Sequence, residues 1–120
     1  MNLDEPDLKA TVEQKEAGVS IVFHGRSDRR DPSEIIKPWS EKLLPSLSGQ
    51  EVLVDFRGLE YMNSSSFMPI FQLLRSAREL ATSVHVLYNG EANWQRLSFS
   101  SLEAISKAWP NLKVTSSPEP

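Results

Sequence analysis

The sequence predicts an α/β fold: a mixed four- to five-stranded sheet with helices packed on it. Three observations carry this. Apolar runs of strand length alternate with stretches of helical periodicity, in the order β-β-α-β-α-β-α-β. Strands alternating with helices imply parallel neighbours joined by right-handed crossovers, and two strands in succession at the start imply one antiparallel pair. The chain of 120 residues, 39% hydrophobic and 24% charged, is long enough for one self-sufficient core.

Composition removes several function classes. With no cysteine, disulfides, thiolate metal sites and thiol nucleophiles are excluded. A net charge of −3 gives no reason to expect nucleic acid as a partner. No apolar run reaches membrane-spanning length. The start, Met1-Asn2-Leu3-Asp4-Glu5, is acidic and has no apolar centre, so it does not read as a secretory signal, and a cytoplasmic location is expected. Residues 1–8 read as a flexible leader, 9–115 as a single domain, and 116–120 as a flexible, proline-bearing tail.

The elements follow in order. Lys9–Glu16 is a short strand, with Ala17-Gly18 as the turn into a firmer strand, Val19–His24, whose Val19, Ile21 and Phe23 share one face. Gly25–Asp31 is a polar loop with three arginines; a solvated loop is preferred there over an anion site. Asp31 as N-cap and Pro32 at the first helical position open a helix. Ile35, Ile36, Trp39, Leu43, Leu44 and Leu47 recur along it, Pro38 predicts a kink or a restart, and Pro45 helps end it. Glu51–Phe56 is the strongest strand, apolar enough to predict a central strand covered on both faces. Phe67–Ala81 is an amphipathic helix with Phe67, Ile70, Phe71, Leu74, Ala77 and Leu80 on its stripe. Since proline costs no helical bond in the first turn, Pro69 predicts Ser65 or Ser66 as N-cap and Ser64 as the last loop residue. Ser83–Tyr88 is a strand and Asn89-Gly90 a turn. Glu91–Trp109 is mostly helical, weakened at Ser98–Ser101, with Trp94, Leu97, Leu102, Ile105 and Trp109 apolar. Leu112–Thr115 is an edge strand.

An enzyme is not expected. His24 and His85 both fall in strands, where each reads as structural, and no metal spacing, phosphate loop or nucleophile elbow occurs. No cofactor and no metal are expected. Asp55 lies near the serines at a strand end and could orient a hydroxyl, but without a histidine it makes no triad. What remains is Asn63-Ser64-Ser65-Ser66, where a strand hands over to a helix. One serine suffices to cap a helix. Three together also suit phosphorylation, since a helix N-terminus accepts a phosphate's charge. The residues by themselves leave capping and a phospho-switch evenly matched.

The run Glu51-Val-Leu-Val-Asp-Phe-Arg-Gly-Leu-Glu-Tyr-Met-Asn-Ser-Ser-Ser-Phe67 resembles the core motif of STAS domains, the fold of anti-sigma-factor antagonists. That motif is an apolar strand, an Asp, a spacer, then Asp-Ser-Ser/Thr-Gly-Leu and a helix. Asn63 stands where the family has Asp, and Ser66 where it has Gly. The resemblance implies a partner-switching protein whose phosphorylated residue is Ser65. A STAS-like group of bacterial phosphoproteins that regulate diguanylate cyclases and biofilm formation is similar as well, through Gly25-Arg26-Ser27, Lys37-Pro38-Trp39 and Leu59–Ser66; it implies Ser64 instead. Between the two, Ser65 is preferred. The implied partners are an anti-sigma factor acting as Ser/Thr kinase, a metal-dependent PP2C-type phosphatase, and for the second group a diguanylate cyclase. The implied docking residues are Asn63, Ser66, Phe67 and Met68.

Overall fold

The structure, a computed structural model, describes residues 1–117. One mixed sheet carries seven strands and three helices: β1 (Leu3–Asp4), β2 (Leu8–Lys15), β3 (Gly18–Ser27), α1 (Ser33–Leu43), β4 (Glu51–Asp55), β5 (Leu59–Met62), α2 (Ser64–Leu80), β6 (Ser83–Tyr88), α3 (Asn93–Ser106) and β7 (Leu112–Ser116), with a 3₁₀ turn at Leu44–Leu47 after α1. The strand order is β1-β2-β3-β4-β6-β7. β1 and β2 run antiparallel to their neighbours, while β3, β4, β6 and β7 are mutually parallel. The five expected strands are thus present, joined by two short ones.

β1 overturns the expected flexible leader. Leu3 is buried, and the Met1 carbonyl accepts from the Trp39 indole nitrogen at 2.9 Å. A single leucine and two bridge pairs are too short a pattern to read as a strand from sequence. At the other end, Ser116 closes β7 and the Ser117 N–H donates to the Tyr88 carbonyl. The rest of the expected tail, residues 118–120, lies outside the described residues.

β5 was hidden for a different reason. β4 pairs with the first half of β3, and β5 pairs with its last residues after a register shift at Gly25/Arg26. β4, a tight turn and β5 therefore run in one line along the same side of β3. Gly25 makes the shift possible: its φ is +88°, and a Cβ there would meet the Asp7 carbonyl oxygen at 2.2 Å. Hence the arginine loop begins as strand, with Gly25, Arg26 and Ser27 all in β3.

The expectation that the strongest strand is covered on both faces is corrected. Burial alternates along β4 and β6. An aromatic chain, Trp39–Phe23–Phe56–Phe99–Tyr88, links α1 to α3 across one face, with neighbouring ring centroids 4.8–5.8 Å apart. Val52, Val54, Val84, Val86 and Val114 lie on that same face. The other face bears Ser20, Val22, Leu53, His85 and Leu87 in register, and among the described residues no helix covers it. Its apolar members made the strands read as fully covered.

The helices also differ in detail. α1 runs unbroken through Pro38, and Pro32, rather than Asp31, precedes its first residue. α3 is continuous through Ser98–Ser101; its buried side chains are Gln95, Phe99 and Leu102, while Leu97 and Ile105 are exposed. In α2 the buried stripe is Ile70, Leu73, Leu74 and Ala77, with Phe67 and Phe71 half-buried beside it and Leu80 exposed.

Candidate functional site

The strand-to-helix corner is built by β3, β5 and the start of α2. The Asn63 N–H donates to the Ser27 carbonyl at 2.9 Å, continuing the β3–β5 ladder by one residue. Asn63 then turns the chain: its extended backbone (φ −79°, ψ 169°) and its side-chain oxygen, which accepts from the Ser66 N–H at 3.0 Å, make it the N-cap of α2. An amide or carboxyl oxygen at this position satisfies one of the otherwise orphaned N–H groups of a helix start. The expected cap at Ser65 or Ser66 is therefore displaced by two or three residues. Its premise was that Pro69 must sit in the first turn. Pro69 instead lies inside α2 and is buried; it lines a cleft with Ser40 and Leu44 from the α1 side. The one helical bond it forgoes is offset by that packing.

Ser66 faces inward and is fully buried. Its Oγ lies 2.7 Å from the Asn63 side-chain oxygen and 2.6 Å from the Ser27 Oγ. The Asn63 amide nitrogen donates to the Arg29 carbonyl at 3.0 Å. A carbonyl can only accept, which fixes the Asn63 amide orientation. The Asn63 oxygen then receives the Ser66 hydroxyl proton, and Ser27 donates to Ser66. Every member of this small network is satisfied, and an aspartate at 63 would place two acceptors against each other at Arg29. Asn63 thus ties the arginine loop to the helix start. Ser66, expected as a docking residue, is sealed in this network and is not available to a partner.

Ser64 and Ser65 are different. They occupy the first two positions of α2 and both are exposed. N–H groups at these positions have no acceptor within the helix, and the helix dipole favours negative charge there. Of the remaining expected docking residues, Met68 is exposed, Phe67 is half-buried against Phe71, and Asn63 is half-buried with its polar atoms engaged.

Two residues of the quoted motifs, Arg26 and Tyr61, directly precede the corner's Ser27 and Met62 on β3 and β5. Arg26 and Tyr61 are cross-strand partners on β3 and β5, and the Arg26 guanidinium lies 5.2 Å from the Tyr61 ring centroid. Tyr61 is 36% exposed. That these two residues pair depends on the β3–β5 register, which the sequence does not display. Arg29 bridges Glu5 and Asp7, at 3.1 Å to each; its hydrogen bond holds the Asp7 carboxyl below the usual range.

Asp55 does not reach the serines. It accepts from the Arg57 N–H and Nε at 2.9 and 3.0 Å on one oxygen, and from Nη2 at 2.9 Å on the other. Burial pushes this carboxyl up, but the hydrogen bonds and charge of Arg57 outweigh it and hold it below its ordinary value. His85 lies on the open face, 2.9 Å from the Thr115 hydroxyl; burial, and then the charge of Lys113, lower its pKa. Among the described residues no group of three or more acidic or histidine side chains is arranged to hold a metal, and no helix is long and apolar enough to cross a membrane.

No protein-family model matches the chain, and no curated protein sequence does. Solved structures do. An anti-sigma factor antagonist from Mycobacterium paratuberculosis superposes with a TM-score of 0.62 at 17% identity, covering 92% of this chain and 90% of that one. A chain from the structure of the diguanylate cyclase SiaD in complex with its activator SiaC from Pseudomonas aeruginosa matches with a TM-score of 0.60 at 16% identity, covering 99% of this chain and 99% of that one. A DUF3478-family protein with a SpoIIAA-like fold from Shewanella loihica matches at 0.59 and 13% identity, over 99% of this chain and 92% of that one. The chain therefore has the STAS, or SpoIIAA-like, fold.

Proposed function

We propose that this chain is a non-enzymatic regulatory protein that switches partners by reversible phosphorylation of Ser65 or Ser64. The single observation that carries the reading is the division of labour among three adjacent serines. Ser66 is enclosed and does structural work, while Ser64 and Ser65 stand exposed on a helix N-terminus. With Asn63 as the cap, neither is needed to start the helix. In the unmodified state the protein docks through the exposed part of the corner: Ser64, Ser65 and Met68, flanked by Tyr61 and Arg26. A Ser/Thr kinase transfers the γ-phosphoryl group of ATP to a serine oxygen, with loss of the hydroxyl proton and release of ADP; a PP2C-type phosphatase returns the serine by hydrolysis. The added charge, close to −2, is accommodated by the helix start but opposes the docked partner.

The likeness to an anti-sigma factor antagonist supports a kinase of the anti-sigma type as that partner, and hence control of transcription in a bacterial cytoplasm. The likeness to the SiaD–SiaC complex supports a diguanylate cyclase as the alternative. The same switch serves either. Phosphopeptide mass spectrometry of protein from its native cell is expected to find phosphate on Ser65 or Ser64 and none on Ser66. Partner capture is expected to fail with Ser64→Glu/Ser65→Glu and to persist with Ser64→Ala/Ser65→Ala. No modification of either exposed serine, together with equal capture by both variants, would reduce the protein to a constitutive scaffold.

A further inference from the structure

We propose that the helix-free face of the sheet is a self-association surface that takes a second copy of this chain, the two sheets packed face to face about a two-fold axis along β4. The side chains across the strands of this face are ordered so that each row matches its own reverse. One row reads Glu13–Ser20–Leu53–His85–Lys113, from β2 to β7. The next reads Thr11–Val22–Asp55–Leu87–Thr115. A rotation about β4 reverses each row and lays it on itself. Glu13 then meets the second copy's Lys113 at both ends. Leu53 meets Leu53 at the centre, and Val22 meets Leu87 on either side.

The charges are available for this. Lys113 has no ion pair among the described residues, and Glu13 holds a 4.0 Å contact with Lys15 at the outer limit of one. The two like charges brought near the axis are dealt with separately. Asp55 is already neutralised by its hydrogen bonds to Arg57. Glu51 lies at the end of the face and is exposed, so its carboxylate turns into solvent. Beside Leu53, a shallow concavity of about 380 Å³ between Lys15, Ser20, Glu51 and His85 leaves room for facing side chains to interdigitate.

Size sets the strength. Five strands at about 4.8 Å and three rows of side chains make a footprint on the order of 500 Å² per copy. Stable interfaces bury about 800 Å² per partner. The association is accordingly weak and concentration-dependent. It leaves the serine corner free, because α2 packs on the opposite face.

Sedimentation equilibrium of the intact chain, from about 10 µM to about 1 mM, covers the range in which an interface below standard size associates. A monomer–dimer equilibrium is expected. Glu13→Lys or Lys113→Glu alone is expected to weaken it by about tenfold or more through like-charge apposition at both ends, and the double reversal to restore it to within about threefold. Both residues are exposed, so circular dichroism is expected to show all variants folded. A chain that stays monomeric throughout, or a dimer indifferent to the reversals, overturns the proposal.

Discussion

Asn63 is the residue on which the corner turns, because both ends of its side chain are used: the oxygen for Ser66 and the nitrogen for the Arg29 carbonyl. Asn63→Ala removes the side-chain cap and the tie to the Arg29 carbonyl, leaving Ser66 only its bonds to the Asn63 and Ser27 carbonyls, so a loss of about 1–2 kcal/mol is expected in chemical denaturation. Ser66→Ala leaves the Ser27 hydroxyl without its acceptor and is expected to cost about 1–3 kcal/mol. Ser64→Ala and Ser65→Ala, at exposed positions with no network, are expected within about 0.5 kcal/mol of the parent. If Ser66→Ala were as neutral as the other two, the sealed network would carry no stability. The existence of a special corner was legible in the excess of serines over what a cap requires. Which serine faces inward was not, because that depends on Ser27, 39 residues earlier in the chain. Pro69 misled for a physical reason: the rule against interior proline describes the lost bond, and the packing of a buried ring can offset it.

Among the elements, α3 reaches back to hold the turn between β4 and β5. The fully buried Gln95 donates to the Phe56 and Leu59 carbonyls at 2.8 and 3.0 Å and accepts from the Asn89 N–H at 2.8 Å. Together with the Leu59 N–H, which donates to the Phe56 carbonyl at 3.0 Å, that side chain satisfies the break that allows β5 to continue the line of β4 toward the corner. Gln95→Leu keeps the volume but takes a partner from the Leu59 carbonyl and the Asn89 N–H and leaves the Phe56 carbonyl only its bond from the Leu59 N–H, so a loss of about 1–3 kcal/mol is expected by thermal or denaturant melting. A loss under about 0.5 kcal/mol would mean the turn holds itself. Strands with long apolar runs, such as Glu51–Asp55, were legible. The four residues of β5, with two outward-facing polar or aromatic members, were not, since pairing rather than pattern makes them a strand. The buried glutamine was equally silent: polar in composition, it is core in the fold.

Across the whole molecule, groups on the open side of the sheet contribute to how the protein responds to acid. His85 sits on the uncovered face with its pKa lowered, so an unfolded chain takes up that proton first. Its contribution to stability is present above about pH 6.5, the ordinary histidine value, and is lost as pH falls toward the folded value. Asp55, also lowered, contributes stability above about pH 4 that is lost as pH falls through its folded value. Melting curves across pH are therefore expected to decline in two steps. His85→Asn should flatten the upper step and Asp55→Asn should shrink the lower one. A pH profile unchanged by His85→Asn would remove the histidine from this account. The α/β class was legible because alternating strands and helices leave few topologies. That all three helices share one face was not, because Val22, Leu53 and Leu87 give the open face an apolar character close to that of a covered one.

In the proposed switch, charge at Ser64 and Ser65 controls docking without disturbing the fold. This control is tested most directly by quantitative cross-linking capture of the native partner on three versions of the intact protein: parent, Ser64→Ala/Ser65→Ala and Ser64→Glu/Ser65→Glu. The account predicts equal thermal stability for all three within about 0.5 kcal/mol, full capture by the first two, and at least about a tenfold loss with the third, the effect of roughly 1.4 kcal/mol at the interface. Equal capture by all three folded proteins would contradict it.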